Sequence, residues 1–402
     1  MAEPTIDREA DVPEYELPEI WPPTEMDWST RRAELIALAE QHIYGRLPSG
    51  RAKVTATLVD DGPLQGLPSA RRRQWRVAIS AGPATAHVDL LLVSPATLPG
   101  NRRPPVVLAL NFYGNHTVTD DPTVVLPRSW VPARRELAAR DHRASAADRG
   151  LRVHRFPLEL ILSRGAALAT AYCGDIAPDT ADAPPDAGVW PVLRALGFAH
   201  DAPDRPGTIA AWAWGLSRLL DALRGAAPEL NEDRVAVLGH SRLGKAALWA
   251  GVLDPRFWFV AVNESGCGGA ALARRRFGER LVNINTNFPH WFCPRHHTYN
   301  EREADLPLDQ HQVLAAVAPR SLHVGSAAED RWADPKGEYL ALREAATVWR
   351  RLGAGDFPLE PGWPESGGVV RGASLAYHLR PGPHNLTAVD WEHYLDSFLP
   401  KP

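Results

Sequence analysis

The sequence predicts an α/β fold, a mostly parallel sheet with helices on both faces, and three observations carry that prediction. From residue 157 onward, apolar β-type runs alternate with helix-forming stretches, the pattern of parallel strands joined by crossover helices. Runs such as Pro104–Leu110 are continuously apolar rather than alternating, as in strands buried on both faces. One run, Val235-Ala236-Val237-Leu238, breaks at Gly239-His240-Ser241 and continues as a helix-forming stretch.

Residues 1–27 are acidic and proline-rich, and Trp21-Pro22-Pro23 excludes helix, so they read as an extended N-terminal arm. A helix is expected over Ser29–Tyr44. Three β-type runs follow, Ala52–Leu58, Gln74–Ser80 and Ala86–Val93, and the short polar turns between them predict an antiparallel meander. Pro104–Leu110 then feeds the loop Asn111-Phe112-Tyr113-Gly114-Asn115-His116. Residues 117–156 lack a sustained period and read as an insertion, either a lid or a surface excursion. The series resumes with helix Pro157–Ser163, strand Ala166–Tyr172 and helix Thr208–Arg224, in which Ile209, Trp212, Leu216, Leu219 and Leu223 make one apolar stripe. After the serine come strand Phe257–Val262, helix Leu308–Val317, strand Leu322–Gly325, helix Pro335–Arg351, strand Ser374–Leu379 and helix Thr387–Phe398.

Composition removes several function classes. An apolar share of 45% and a charged share of 23% suit a soluble globular chain with a large core. A net charge of −4 gives no sign of a nucleic-acid partner, and no apolar run approaches the roughly 18 residues of a membrane span. Only four of the 44 basic residues are lysines, and one, Lys245, lies four residues after Ser241. Three cysteines, Cys173, Cys267 and Cys293, allow at most one disulfide, for which Cys267 and Cys293 are the pair to test. No signal peptide is visible, so the expected compartment is the cytoplasm, or the periplasm or exterior if a signal has been removed. A monomer is expected.

A strand that turns sharply into a helix at a single serine is how an α/β-hydrolase displays its nucleophile, with the helix N-terminus beneath it to stabilise negative charge. Residues 28–402 therefore read as one α/β-hydrolase catalytic domain. The usual G-x-S-x-G is altered here to Gly239-His240-Ser241-Arg242-Leu243-Gly244-Lys245. Arg242 sits where the backbone N–H enters the oxyanion hole and adds a cation there, while Lys245 is one helical turn on. The competing reading makes both solvated side chains of a first helical turn.

A serine needs a histidine to take its proton and a carboxylate to orient that histidine. His384 stands on the loop after the last strand, where such a histidine is expected, whereas His378 lies inside the strand and His393 within the terminal helix. Two carboxylates follow parallel strands at the edge where such sheets bind ligands: Asp330 after Leu322–Gly325 and Glu264 after Phe257–Val262. Both are expected near His384, with Glu264 carrying more of the effect. His296-His297 lacks a ligand set, and no metal or organic cofactor is expected.

With these residues in place, the chain resembles the glucuronoyl esterases, carbohydrate esterase family 15, from about Trp28 to the C-terminus. Its elbow is similar to the family's G-C-S-R-x-G-K, with His240 in place of the cysteine. Glu264-Ser265-Gly266, Gly268-Gly269, Phe288-Pro289-His290-Trp291-Phe292, Asp309-Gln310-His311, Ala333-Asp334-Pro335 and Pro381-Gly382-Pro383-His384 are similar to further family signatures in the same order. The resemblance implies hydrolysis of esters of 4-O-methyl-glucuronic acid, as between glucuronoxylan and lignin, by Ser241, His384 and Glu264, with Asp330 at the position of an alternative acid. It also implies that Arg242 stabilises the oxyanion and that Lys245, Glu279 and Trp332 hold the uronate sugar. The expected partner is a glucuronate ester or a glucuronoxylan-derived oligosaccharide. Two other readings stay open: an acetyl-xylan or small-acyl esterase, and a sugar-binding protein with a defunct triad.

Overall fold

The computed structural model describes residues 5–22, 26–97, 102–355, 357–358 and 362–399, so the portions of the arm at 1–4 and 23–25 lie outside the described residues. The chain forms two compact units from interleaved segments. One comprises Met1–Arg46, Asp201–Ala210 and Gly239–Asn385; the other comprises Leu47–His200, Ala211–Leu238 and Leu386–Pro402.

The second of these units contains β1 (Lys53–Leu64), β2 (Leu67–Ala81), β3 (Ala84–Pro95), β4 (Val106–Asn111), β5 (Ala167–Tyr172) and the first four residues of β6 (Val235–His240). β1, β2 and β3 form the antiparallel meander. Its first hairpin is longer than the apolar runs suggested, because its polar end is zipped by charge: Arg71 to Asp61 at 2.6 Å and Arg72 to Asp60 at 2.5 Å. β3 pairs antiparallel with β5, while β5–β4 and β4–β6 are parallel, in register Val107↔Leu168 and Val107↔Ala236. Every residue of β4 and β5 is buried, which is why they read as unbroken apolar runs. The 117–156 segment holds short 3-10 turns and is pinned at Asp121, a fully buried carboxylate that accepts from Arg72 at 2.6 Å and from the Gln65 N–H at 2.9 Å.

The first unit contains β7 (Phe257–Asn263), β8 (Ser321–Ala327), β9 (Val369–Arg371) and β10 (Leu375–Arg380). β7–β8 and β8–β10 are parallel, with Asn263 opposite Gly325 and Ala327 opposite Arg380; β9 is an antiparallel edge on β10. This register sets the C-terminal ends of β7, β8 and β10 side by side, so the residues that follow them, Glu264, Asp330 and His384, converge on one edge. The long helix Pro335–Arg351 starts where expected because Asp334 accepts the Gly337 N–H at 2.9 Å and Pro335 fixes the first turn.

Several expectations change. Cys267 and Cys293 do not pair: both are buried, and neither is in a disulfide. The helix expected over Ser29–Tyr44 is α-helical only for Trp28–Ala39 and ends in a π turn. Helices Trp190–Ala195 and Leu281–Asn287 and strand β9 had no periodic signal long enough to betray them. Among the described residues, no helix is long and apolar enough to cross a membrane.

Candidate active site

Ser241 adopts φ +57°, ψ −129°, a backbone state that non-glycine residues rarely hold. The surrounding glycines make this turn possible. A Cβ on Gly239 would lie 2.0 Å from the Leu243 carbonyl oxygen, and one on Gly244 would lie 3.1 Å from the Gly239 oxygen, so the late second glycine is what lets the first helical turn close on the strand. The Ser241 N–H donates to the Asn263 carbonyl at 2.9 Å, fixing the elbow to the end of β7. The helix Arg242–Leu253 begins at the next residue, so its N-terminus and the positive end of its dipole lie at the serine.

His384 is gripped by both expected carboxylates. Its Nδ1 lies 2.5 Å from Asp330 Oδ2 and 3.1 Å from Glu264 Oε2. Burial works against its charge, but these hydrogen bonds outweigh burial and push the imidazole up to about 9. The side chain remains 40% exposed, open to a substrate. The ring of His240, next to Ser241 in the chain, lies 4.5 Å from the His384 ring, and its Nδ1 is 2.7 Å from Asn263 Oδ1.

Glu264 differs from Asp330 in what else it meets. It takes φ +45° and is fully buried, accepts from Arg380 Nη2 at 2.6 Å through Oε1, and accepts the Asn385 N–H at 3.0 Å through Oε2. Burial pushes its carboxyl up to about 7, against the lowering effect of His384 and Arg380. Among the described residues, His240, Glu264 and His384 are the group whose donor atoms, within 4.8 Å of one another, come nearest to a metal set.

The cations rest on aromatic rings. Phe288 and Trp291 stack at 3.7 Å and 2°, and the Arg242 guanidinium lies 5.6 Å and 5.0 Å from their centroids. Buried Lys245 donates from Nζ to the Ser265 carbonyl and lies 5.9 Å from the Trp291 ring. Burial lowers the Lys245 ammonium and raises the Glu279 carboxyl, each opposed by the other's charge. The Glu279 N–H donates to the Trp332 carbonyl at 2.8 Å, which joins their two loops, and Trp332 is 46% exposed.

Two residues of this centre were not singled out from the sequence. Arg380 closes the fully buried strand β10 just before the Pro381-Gly382-Pro383-His384 turn, and a charge there demands a buried partner. Glu338 stands on the buried face of helix Pro335–Arg351. Its Oε1 accepts from the N–H groups of Ser265 and Gly266 at 2.8 and 2.9 Å, and its Oε2 accepts from Ser326 Oγ at 2.6 Å. A carboxylate on the apolar stripe of a helix was the available signal. His378 faces His323 at 2.9 Å inside the strands, and His296 meets Asn285 at 3.0 Å with burial driving its imidazole down to about 3; both are core histidines.

Comparison with known proteins follows the same lines. A family model described as fungal glucuronyl esterase matches residues 195–353. The carbohydrate esterase MZ0003 of an unknown prokaryotic organism is 41% identical over 96% of this chain and 90% of its own length. Solved structures of a promiscuous CE15 esterase from a marine bacterial metagenome and of a glucuronoyl esterase from Solibacter usitatus superpose with TM-scores of 0.88 and 0.86. They are 39% and 40% identical, cover 98% and 97% of this chain, and are themselves covered to 100% and 98%. The fold is therefore the α/β-hydrolase type of those esterases.

Proposed function

The chain belongs to the glucuronoyl esterases of carbohydrate esterase family 15, and from that membership we propose that Ser241 and His384 hydrolyse glucuronic acid esters through an acyl-enzyme. The enzyme is a carboxylic ester hydrolase. Ser241 Oγ attacks the C6 carbonyl while His384 accepts its proton and returns it to the leaving alcohol; water then repeats the sequence and frees the acid. The oxyanion meets the N–H groups at the start of helix Arg242–Leu253 and the Arg242 cation.

Asp330 is the acid that orients the imidazole, with Glu264 second. The order expected from the sequence was the reverse, but Glu264 divides its charge between Arg380, Asn385 and His384, whereas Asp330 makes the shorter bond to Nδ1. Lys245 and Glu279 suit a pair of sugar hydroxyls as donor and acceptor, and exposed Trp332 suits the face of the ring. The substrate class is the ester of a (4-O-methyl-)glucuronic acid side chain of xylan with an alcohol of lignin.

The observation that carries this reading is one accessible imidazole held by two carboxylates beside a strained serine elbow. Rates on methyl glucuronate and on 4-nitrophenyl acetate test it. The uronate ester is expected to be preferred, and S241A to abolish turnover of both. Preference for acetate would return the small-acyl esterase reading, and an active S241A would displace the nucleophile.

A further inference from the structure

The N-terminal arm grips the two loops that carry Glu279 and Trp332. Ile6 forms a parallel bridge with Phe277, and its carbonyl accepts the Gly278 N–H at 2.8 Å. Arg331 Nη2 donates to the Asp7 carbonyl, on the residue immediately before Trp332. Glu9 spans both loops, with Oε1 2.7 Å from Arg275 Nη2 and Oε2 2.8 Å from Lys336 Nζ. Arg275 is itself buried against Asp334 at 2.9 Å.

Between these anchors the loops have little freedom. Gly278 takes φ +63°, and a Cβ there would lie 2.5 Å from the Trp332 carbonyl oxygen and 2.6 Å from that of Arg331. The loops are thus in backbone contact, and the arm adds a third strand-like layer along Phe277-Gly278. Main-chain bridges of this kind fix register in a way that a surface ion pair alone does not.

We propose that residues 5–11 are a positioning strap for the sugar subsite, setting the separation of Glu279 and Trp332 without touching the reacting atoms. This rests on the reading that those two residues hold the uronate. Removing the strap lets the loops sample other separations, so the enzyme pays for ordering them when the sugar binds.

The test compares the full chain, a deletion of residues 2–11, and E9K, which sets a third cation against Arg275 and Lys336. Each is assayed on methyl glucuronate and on 4-nitrophenyl acetate, which has no sugar. The expected result is a five- to twentyfold rise in KM for the uronate ester with kcat within twofold, and unchanged acetate turnover. In a W332A background the deletion should add nothing further. Equal losses on both esters, or an unchanged KM in both variants, would overturn the strap. If the deletion does not fold, E9K decides alone. Should W332A and E279Q themselves leave the uronate KM unchanged, it is the subsite reading that fails.

Discussion

Arg380 Nη2 lies 2.6 Å from Glu264 Oε1, and neither side chain is more than 4% exposed. This buried pair divides the labour between the two carboxylates at His384. Glu264 thus meets Arg380 through Oε1 and His384 through Oε2, while Asp330 Oδ2 makes the shorter contact with the imidazole.

Alanine at each acid separates these roles. D330A is expected to lower kcat by about 10³-fold, as when a triad acid is lost, and E264A by about tenfold. E264A and R380A should each also lose about 3–5 kcal/mol of stability, because either leaves a buried charge without its partner. Steady-state kinetics and chemical denaturation check both; a larger kcat loss for E264A than for D330A would reverse the assignment.

The pH profile follows from His384. The imidazole must be neutral to accept the serine proton, and its hydrogen bonds to Asp330 and Glu264 favour the charged form, raising it to about 9. The acyl-transfer rate should therefore rise with pH, with a midpoint above the ordinary imidazole value of about 6.5. D330N removes part of that support and should move the midpoint downward. A D330N profile that coincides with the parent's would mean that Asp330 does not face the catalytic imidazole.

Glu338 predicts a stability profile of opposite sense. Burial raises its carboxyl to about 8 in the folded chain, against an ordinary value near 4.5. Between those limits the folded state holds a proton that the unfolded state has released, so stability is full below about pH 4.5 and falls as pH rises toward 8. E338Q should flatten the fall in melting temperature between pH 5 and 8. E338A should cost about 2–4 kcal/mol near pH 5 by leaving the Ser265, Gly266 and Ser326 donors unmatched, and the cost should shrink as pH rises toward 8.

The stacked rings under Arg242 give a kinetic prediction. W291L withdraws the nearer ring, 5.0 Å from the guanidinium, and should reduce kcat about tenfold through loss of Arg242 orientation. R242A should cost about 10²–10³-fold, the loss expected for an oxyanion donor. R242K should recover little of it, because an ammonium neither lies flat on the stack nor presents a planar fork. If W291L still lowers kcat tenfold in an R242A background, Trp291 acts by another route.

Much of this was legible in the sequence because the chemistry sits at element ends. The serine, both carboxylates and the histidine each follow a buried apolar strand, and such strands are the clearest signal a chain carries. What stayed hidden lay inside elements or depended on pairing. Asp60 and Asp61 read as a polar turn, yet they pair across the hairpin with Arg72 and Arg71 and extend it. Arg380 and Glu338 read as ordinary members of a strand and a helix, since their burial depends on partners 116 and 73 residues away.

The interleaving of the two units has a consequence for how the protein is made. Its six alternating segments run from Met1–Arg46 to Leu386–Pro402, so one unit receives its last residues only with Asn385 and the other only with the final segment. On a ribosome, neither can mature as an independent domain before Asn385 has been added. The strand Leu375–Arg380 and the histidine it delivers emerge only after the serine and both carboxylates. A nonsense mutation anywhere before His384 removes the catalytic imidazole, even though Ser241, Glu264, Asp330 and His384 all lie within the single segment Gly239–Asn385.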